Sequence, residues 1–272
     1  IINTCTVTAE SDRKSRQLIR RCRAVSAHVI VTGCFAEISP DAAKSIDGVD
    51  AVIGNKNKSS VIDAVKRFAE GAAYRGEDFS EDFESFEECG ALSGGCAVRA
   101  RAYVKIEDGC DNRCAYCIIP KLRGRYRSRE MASLLEEARA LSDAGVKELI
   151  VIAQDITRYG TDLNGEHQLA KLLKELCKLD FHWIRLHYLY PTDTTDELID
   201  VIASEPKIVK YLDIPIQHCN DTILKAMNRR DTKADLLALL KKLREKVPGL
   251  VLRTSLIAGL PYEDDAAFEE LC

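Results

Sequence analysis

Tyr103-Val104-Lys105-Ile106-Glu107-Asp108-Gly109-Cys110-Asp111-Asn112-Arg113-Cys114-Ala115-Tyr116-Cys117 runs from an alternating apolar segment into a loop that carries three cysteines. The alternation through Glu107 predicts a β-strand, and the glycine ends it. The CxxxCxxC spacing lets three thiolates converge on one centre from a single loop. It is too tight for three separate disulfides and natural for a metal cluster. Zinc ribbons draw on two separated CxxC pairs, and the chain has no second pair. Iron–sulfur clusters take thiolates, normally four, so three local ligands leave one iron open to chelate an amino and a carboxylate group. The plainer alternative is three buried structural cysteines.

Downstream, helical periodicity over 131–144, 169–179, 195–203 and 236–247 alternates with apolar runs at 148–153, 183–189, 211–216 and 250–258. Such βα units in series predict a closed or partly closed parallel barrel, with a doubly wound open sheet as the alternative. Upstream, apolar runs ending at Ile2 and covering 28–32 and 49–53 alternate with helical patterns at 8–24, near 41–45 and at 59–70, where Ser59 or Ser60 serves as N-cap. The fold class is therefore α/β: a small parallel α/β domain at 1–70, an acidic and glycine-bearing linker at 71–101, and a partial βα barrel at 102–272. Phe79, Phe83 and Phe86 interrupt the acids of that linker, which reads as a solvated connector or an acidic binding tail.

The chain has 272 residues, is 46% hydrophobic and 30% charged, and carries a net charge of −4. That balance argues against a dominant non-specific grip on nucleic acid. No apolar run reaches the roughly 18 residues needed to span a bilayer, so no membrane partner is expected. Eleven cysteines in a chain of this size and pattern imply a reducing, cytoplasmic setting rather than a disulfide scaffold. The chain starts at Ile1 without Met and stops at Cys272 inside a helical pattern, so it reads as a piece of a longer protein, with a strand and a helix expected upstream.

The cysteine loop, with an aromatic before its last cysteine, resembles the signature of radical S-adenosylmethionine (radical SAM) enzymes. The stretches 103–110, Ile118-Ile119-Pro120 and Arg123-Gly124-Arg125-Tyr126-Arg127-Ser128-Arg129 resemble the methylthiotransferases among them. Residues 153–160, 211–218 and 252–257 are most similar to the branch that modifies a ribosomal protein. Residues 3–8 and 13–17 are more similar to the tRNA-modifying branch, and Gly259-Leu260-Pro261-Tyr262-Glu263 replaces that family's usual Gly-Phe-Pro-Gly-Glu.

The resemblance implies a radical-SAM barrel with two 4Fe-4S clusters and S-adenosyl-L-methionine as cofactors. Cys110, Cys114 and Cys117 would hold the first cluster. Cys5 and Cys34 would hold the second, with a third ligand expected upstream of Ile1. Their place supports this independently: each directly follows an expected parallel strand, so both fall on the ligand-binding edge of one sheet. As strand-end residues they are equally readable as small core side chains. The implied reaction cleaves the cofactor with an electron from an external donor and inserts a methylthio group at an aspartate β-carbon of a small-subunit ribosomal protein. A tRNA adenosine is the alternative target, and a non-catalytic iron–sulfur or zinc protein the alternative of another class.

Further candidates follow from barrel geometry. Gln154, Asp155 and Gln217 end strands at the active-site edge and, with Tyr116, are expected at the cofactor; Asp155 would accept from its ammonium. His218 is either a capped structural histidine or an acid–base group. Arg253 either points into the barrel to pair a carboxylate or lies outward in solvent. The basic helix with Arg13, Lys14, Arg16, Arg20, Arg21 and Arg23 is a solvated face or a contact for ribosome or tRNA. Cys22, Cys89, Cys96, Cys177, Cys219 and Cys272 read as structural or incidental.

Overall fold

The computed structural model describes residues 1–74 and 100–272; most of the expected linker, with Cys89 and Cys96, lies outside the described residues. The chain divides into two compact units, Ile1–Cys89 with Ile118–Arg125, and Gly90–Cys117 with Tyr126–Cys272. Residues 118–125, inside the 102–272 span expected for the barrel domain, group by contacts with the first unit.

In the first unit, β1 (Ile2–Thr4), β2 (Ile30–Gly33) and β3 (Ala51–Ile53) form a parallel sheet in that order. Between β1 and β2 runs α1 (Ala9–Arg23), where the Thr8 hydroxyl accepts the Ser11 N–H at 3.1 Å as an N-cap. Acids in its first turn and arginines in its last complement the helix dipole. The unit is completed by α2 (Cys34–Ile38), α3 (Pro40–Lys44), α4 (Ser60–Ala69) and α5 (Ile119–Arg123). Val31 packs with Ile19 and Phe35, while its neighbour Ile30 packs with Ile53 and Ala64. Successive side chains thus serve opposite, equally buried faces, as a doubly covered parallel strand requires. Two local expectations change. Ser59 occupies the N-cap of α4 without a capping bond from its side chain, and α2, which was not foreseen, begins at Cys34 itself.

The second unit contains β4 (Arg101–Lys105), then β5 (Glu107–Asp108) antiparallel to β6 (Arg127–Ser128). There follow α6 (Met131–Asp143), β7 (Glu148–Ile152), α7 (Thr161–Asn164), α8 (Leu169–Leu176), β8 (Trp183–Leu186) and α9 (Asp196–Ser204). The series ends with β9 (Tyr211–Asp213), α10 (Asp221–Ala226), α11 (Lys233–Lys246), β10 (Val251–Arg253) and α12 (Asp265–Leu271). β4, β7 and β8 pair in parallel, as do β9 and β10, and a parallel bridge between Ile184 and Ile208 joins the two sets. The expected strands at 211–216 and 250–258 stop at Asp213 and Arg253; beyond them only the bridge between Gln217 and Leu256 continues the pairing.

Helices α6, α8, α9 and α11 pack in chain order. They bury one face of the strands, through Val104, Leu149, Val151, Ile184 and Leu186. In α8, Leu169, Leu172, Leu173 and Leu176 repeat at helical spacing and are all buried, each contributing about 1.5–3 kcal/mol. The opposite strand face carries the row of Tyr103, Ile150 and Arg185 and the pair Asp213 and Arg253. Helices on one face of successive parallel strands make this an open barrel arc rather than a doubly wound sheet. Among the described residues, no helix is long and apolar enough to cross a membrane.

Candidate functional site

Because the strands of the arc are parallel, their carboxyl ends share one edge. Backbone bonds run along it: Ile156 N–H to Tyr188 O at 3.1 Å, Leu189 N–H to Asp213 O at 3.0 Å, and Ile214 N–H to Arg253 O at 2.9 Å. Glu107, fully buried, stitches the first two strand ends together. Its Oε1 accepts the N–H of Gln154 and, at 3.0 Å, that of Asp155, while Oε2 is buried without a hydrogen-bond partner. Burial pushes this carboxyl well above the usual range, and the Asp155 and Asp108 charges add to the rise.

Gln154 Oε1 accepts the Gly109 N–H at 3.0 Å. Asp155 is 1% exposed and caps the 3-10 turn Ile156–Arg158. Its Oδ1 accepts the N–H and hydroxyl of Thr157, and its Oδ2 accepts Asn112 Nδ2 at 2.9 Å. Burial raises the Asp155 carboxyl, against the pull of those bonds. A ligand ammonium at Asp155 would therefore share or displace Asn112.

The cysteine loop follows β5 at this edge. Cys110, Cys114 and Cys117 are outside any disulfide. Burial pushes the Cys110 thiol up to about 12, with the Asp155, Glu107 and Cys114 charges adding. Tyr116 is half exposed, and burial together with the neighbouring Cys114 raises its hydroxyl, against the pull of the Arg229 charge. The thiols share the loop but form no closed cage: among the described residues, no three His, Cys, Asp or Glu side chains stand together as a metal-holding group.

Gln217 adopts φ 68°, with its N–H donating to Ser255 O at 3.0 Å and its carbonyl accepting Ile257 N–H at 2.8 Å. His218 is fully buried; Nδ1 accepts the Asn220 N–H at 2.9 Å and Nε2 lies 3.5 Å from Glu263 Oε1. That is the structural reading of this histidine. Arg253 Nη1 donates to Asp213 Oδ2 at 2.6 Å, so the carboxylate-paired reading of Arg253 is the observed one.

In the first unit, Thr4 pairs with Gly33 and Thr32 with Ile53. Cys5 and Cys34 therefore leave neighbouring strands at the same level, and Asn55, two residues past the third strand, stands level with Cys34. Cys5 is exposed, its N–H donating to Ser15 Oγ at 3.0 Å and its carbonyl accepting the Ser15 hydroxyl at 2.8 Å. Cys34 is buried at the start of α2. Asn55 Nδ2 lies 3.8 Å from Cys34 Sγ and donates to Leu122 O at 3.2 Å, and Asn55 Oδ1 is buried without a hydrogen-bond partner.

A family model described as the radical SAM superfamily matches residues 104–272, and one described as uncharacterized protein family UPF0004 matches residues 1–54. The chain belongs to the radical SAM superfamily. Among curated relatives, the ribosomal protein uS12 methylthiotransferase RimO of Lachnoclostridium phytofermentans is 42% identical over 100% of this chain and 62% of its own length. The protein of the same name from Myxococcus xanthus is 40% identical over 100% of the chain and 57% of its own length. The chain thus spans 62% or less of these two relatives.

Among solved structures, the radical S-adenosylmethionine methyltransferase TsrM from Kitasatospora setae superposes with TM-score 0.71 at 17% identity, covering 100% of this chain and 58% of that one. The cobalamin-dependent S-adenosylmethionine radical enzyme OxsB superposes with TM-score 0.64 at 13% identity, covering 99% of this chain and 42% of that one. Both likenesses are of fold alone.

Radical SAM membership implies S-adenosylmethionine and a 4Fe-4S cluster. The donor set at Cys110, Cys114 and Cys117 fits that cluster in kind. A buried thiol that otherwise keeps its proton needs a cation beside it to ionise. Sequence reasoning missed Glu107, Asn112, Arg229 and Asn55. A charged residue inside an apolar strand was a signal for Glu107. Arg229 had none, since it reaches the loop only through the fold.

Proposed function

We propose that the whole protein is a radical SAM methylthiotransferase that modifies ribosomal protein uS12 of the small subunit at an aspartate β-carbon. The observation that carries this reading is a three-thiol loop at the carboxyl edge of a parallel arc, in a chain about 40% identical along its length to relatives of that name. Cys110, Cys114 and Cys117 hold the radical cluster, and Tyr116, Gln154, Asp155 and Gln217 place S-adenosylmethionine beside it. Cys5 and Cys34, with a third thiol from upstream, hold a second 4Fe-4S cluster; their exit from neighbouring strands at one level supports this. The clusters and S-adenosylmethionine supply the radical chemistry, with an electron from an external donor. The chain's own part is to position these groups and exclude water. A cytoplasmic setting, where thiols stay reduced, belongs to the same reading.

The basic helix lends tRNA less weight as the target than its count of cations suggests. Arg13 and Lys14 pair with Glu10, Arg16 with Asp12 and Arg23 with Asp47, which leaves less charge for a phosphate backbone.

The test is mass spectrometry of uS12 and of tRNA from a deletion strain complemented with the full-length gene. A methylthio group on a uS12 aspartate is expected; a methylthioadenosine in tRNA with uS12 unmodified overturns the reading. Replacing Cys110, Cys114 and Cys117 together with Ala should remove one four-iron cluster and all deoxyadenosine formation.

A further inference from the structure

Three of the four residues that follow α10 bond the cysteine loop. Met227 O accepts the Ala115 N–H at 2.9 Å. Asn228 Nδ2 donates to Arg113 O at 3.0 Å, and Arg230 Nη2 donates to Asn112 Oδ1 at 3.2 Å. Arg229, between them, turns inward and anchors the segment instead. Loops of this length ordinarily satisfy such groups with water; here one distant segment satisfies them in turn.

The holding segment is itself anchored. Met227 is 3% exposed and packs with Ile223 and Ala267. The Arg229 side chain is buried, lies 4.2 Å above the Tyr190 ring, donates to Pro215 O at 3.0 Å and stands 3.4 Å from Asp231. Arg230 also donates to Asp193. On the other side, Asn112 reaches Asp155 at the end of β7. Arg113 and Asn228, which bond each other, adopt φ 50° and 57°. That is the left-handed region, which Asn tolerates just after a helix end but an arginine such as Arg113 keeps only when its surroundings impose it.

We propose that residues 227–230 are a clamp that fixes the backbone of the cysteine loop before any metal arrives, with Asn228 and Arg230 as positioning residues for cluster assembly. The second half of this rests on Cys110, Cys114 and Cys117 being the ligands. Every bond of the clamp is made within the polypeptide, so none of them needs a metal to form.

The test uses the full chain, freed of metal. Asn228→Gly keeps the left-handed backbone and removes the donor; Asn228→Asp keeps size and backbone preference and also removes it. In either, amide exchange of the 111–117 peptide should be about fivefold faster, the factor that loss of one ordinary hydrogen bond gives. Exchange in β7 should stay as in the wild type. Iron uptake on reconstitution should slow by a similar factor. Arg230→Ala should behave likewise, while Arg230→Lys, which retains a donor, should stay close to the wild type.

Wild-type exchange rates in Asn228→Gly, Asn228→Asp and Arg230→Ala overturn the clamp. Faster exchange with unchanged iron uptake overturns its role in assembly. If the wild type takes up no iron at these cysteines, the ligand reading fails, and the exchange result alone then decides whether the clamp exists.

Discussion

Gly33 is the residue on which the placement of Cys34 turns, and Gly33→Ala gives the sharpest energetic test of the first unit. Its backbone, at φ 96° and ψ −165°, lies in a region essentially reserved for glycine, where another residue costs about 1–3 kcal/mol. A methyl group would also have nowhere to go. An added Cβ would lie 2.6 Å from Thr4 N and 2.5 Å from Asn3 Oδ1, and against the Thr4 carbonyl. Thr4 is the register partner of Gly33 on β1, and its hydroxyl is already bonded to Thr32 O at 2.5 Å. Relief therefore requires β1 to move off β2, at the cost of one or two hydrogen bonds worth about 1 kcal/mol each. The sum is roughly 2–5 kcal/mol, a large share of the 5–15 kcal/mol that stabilises a typical domain.

Gly71→Ala is the control. Gly71 has φ 74° with nothing within 4 Å of an added Cβ, so only the backbone penalty of about 1–2 kcal/mol applies. Urea unfolding followed by far-ultraviolet circular dichroism gives the two stabilities, and amide exchange of the 28–36 peptide assigns the loss to β2. If Gly33→Ala falls within about 1 kcal/mol of Gly71→Ala, the close packing of β1 on β2 at Gly33 is not what requires glycine there.

Tyr262 is 81% exposed at φ 71°, where the methylthiotransferase pattern has glycine, so Tyr262→Gly should stabilise the chain by roughly 0.5–1 kcal/mol in thermal unfolding. Glu107 carries a raised carboxyl pKa in the fold. Its contribution is therefore whole below the unfolded value near pH 4.3 and drains away as pH climbs toward the raised one. Glu107→Gln, neutral at every pH and still an acceptor, should flatten that decline in metal-free protein; an unchanged slope in urea titrations across pH would sink the argument. With the upstream residues restored, Cys5→Ala or Cys34→Ala should abolish methylthio transfer and leave deoxyadenosine formation measurable. Loss of both with the barrel cluster intact would count against separate roles.

How much was legible beforehand differs between the strands and the loops they end in. The strand–helix alternation, the apolar period of α8 and the Pro248-Gly249 stop after α11 are local properties, and they determined the parallel α/β class by themselves. The CxxxCxxC spacing determined the candidate ligands in the same way, because the three thiols are neighbours in the chain. Strand ends were less legible: β10 stops at Arg253, before the polar Thr254-Ser255, and a single bridge between Gln217 and Leu256 carries the pairing further. Three things only the tertiary structure decided. Residues 118–125 group with the first unit through contacts of α5 with α2, which no local pattern records. Asn55 meets Cys34 because three parallel strands end level. Residues 227–230 hold residues 112–115 across more than a hundred intervening residues. Sequence periodicity reports which face of an element is buried, whereas a hydrogen bond between distant loops depends on where the intervening elements leave them.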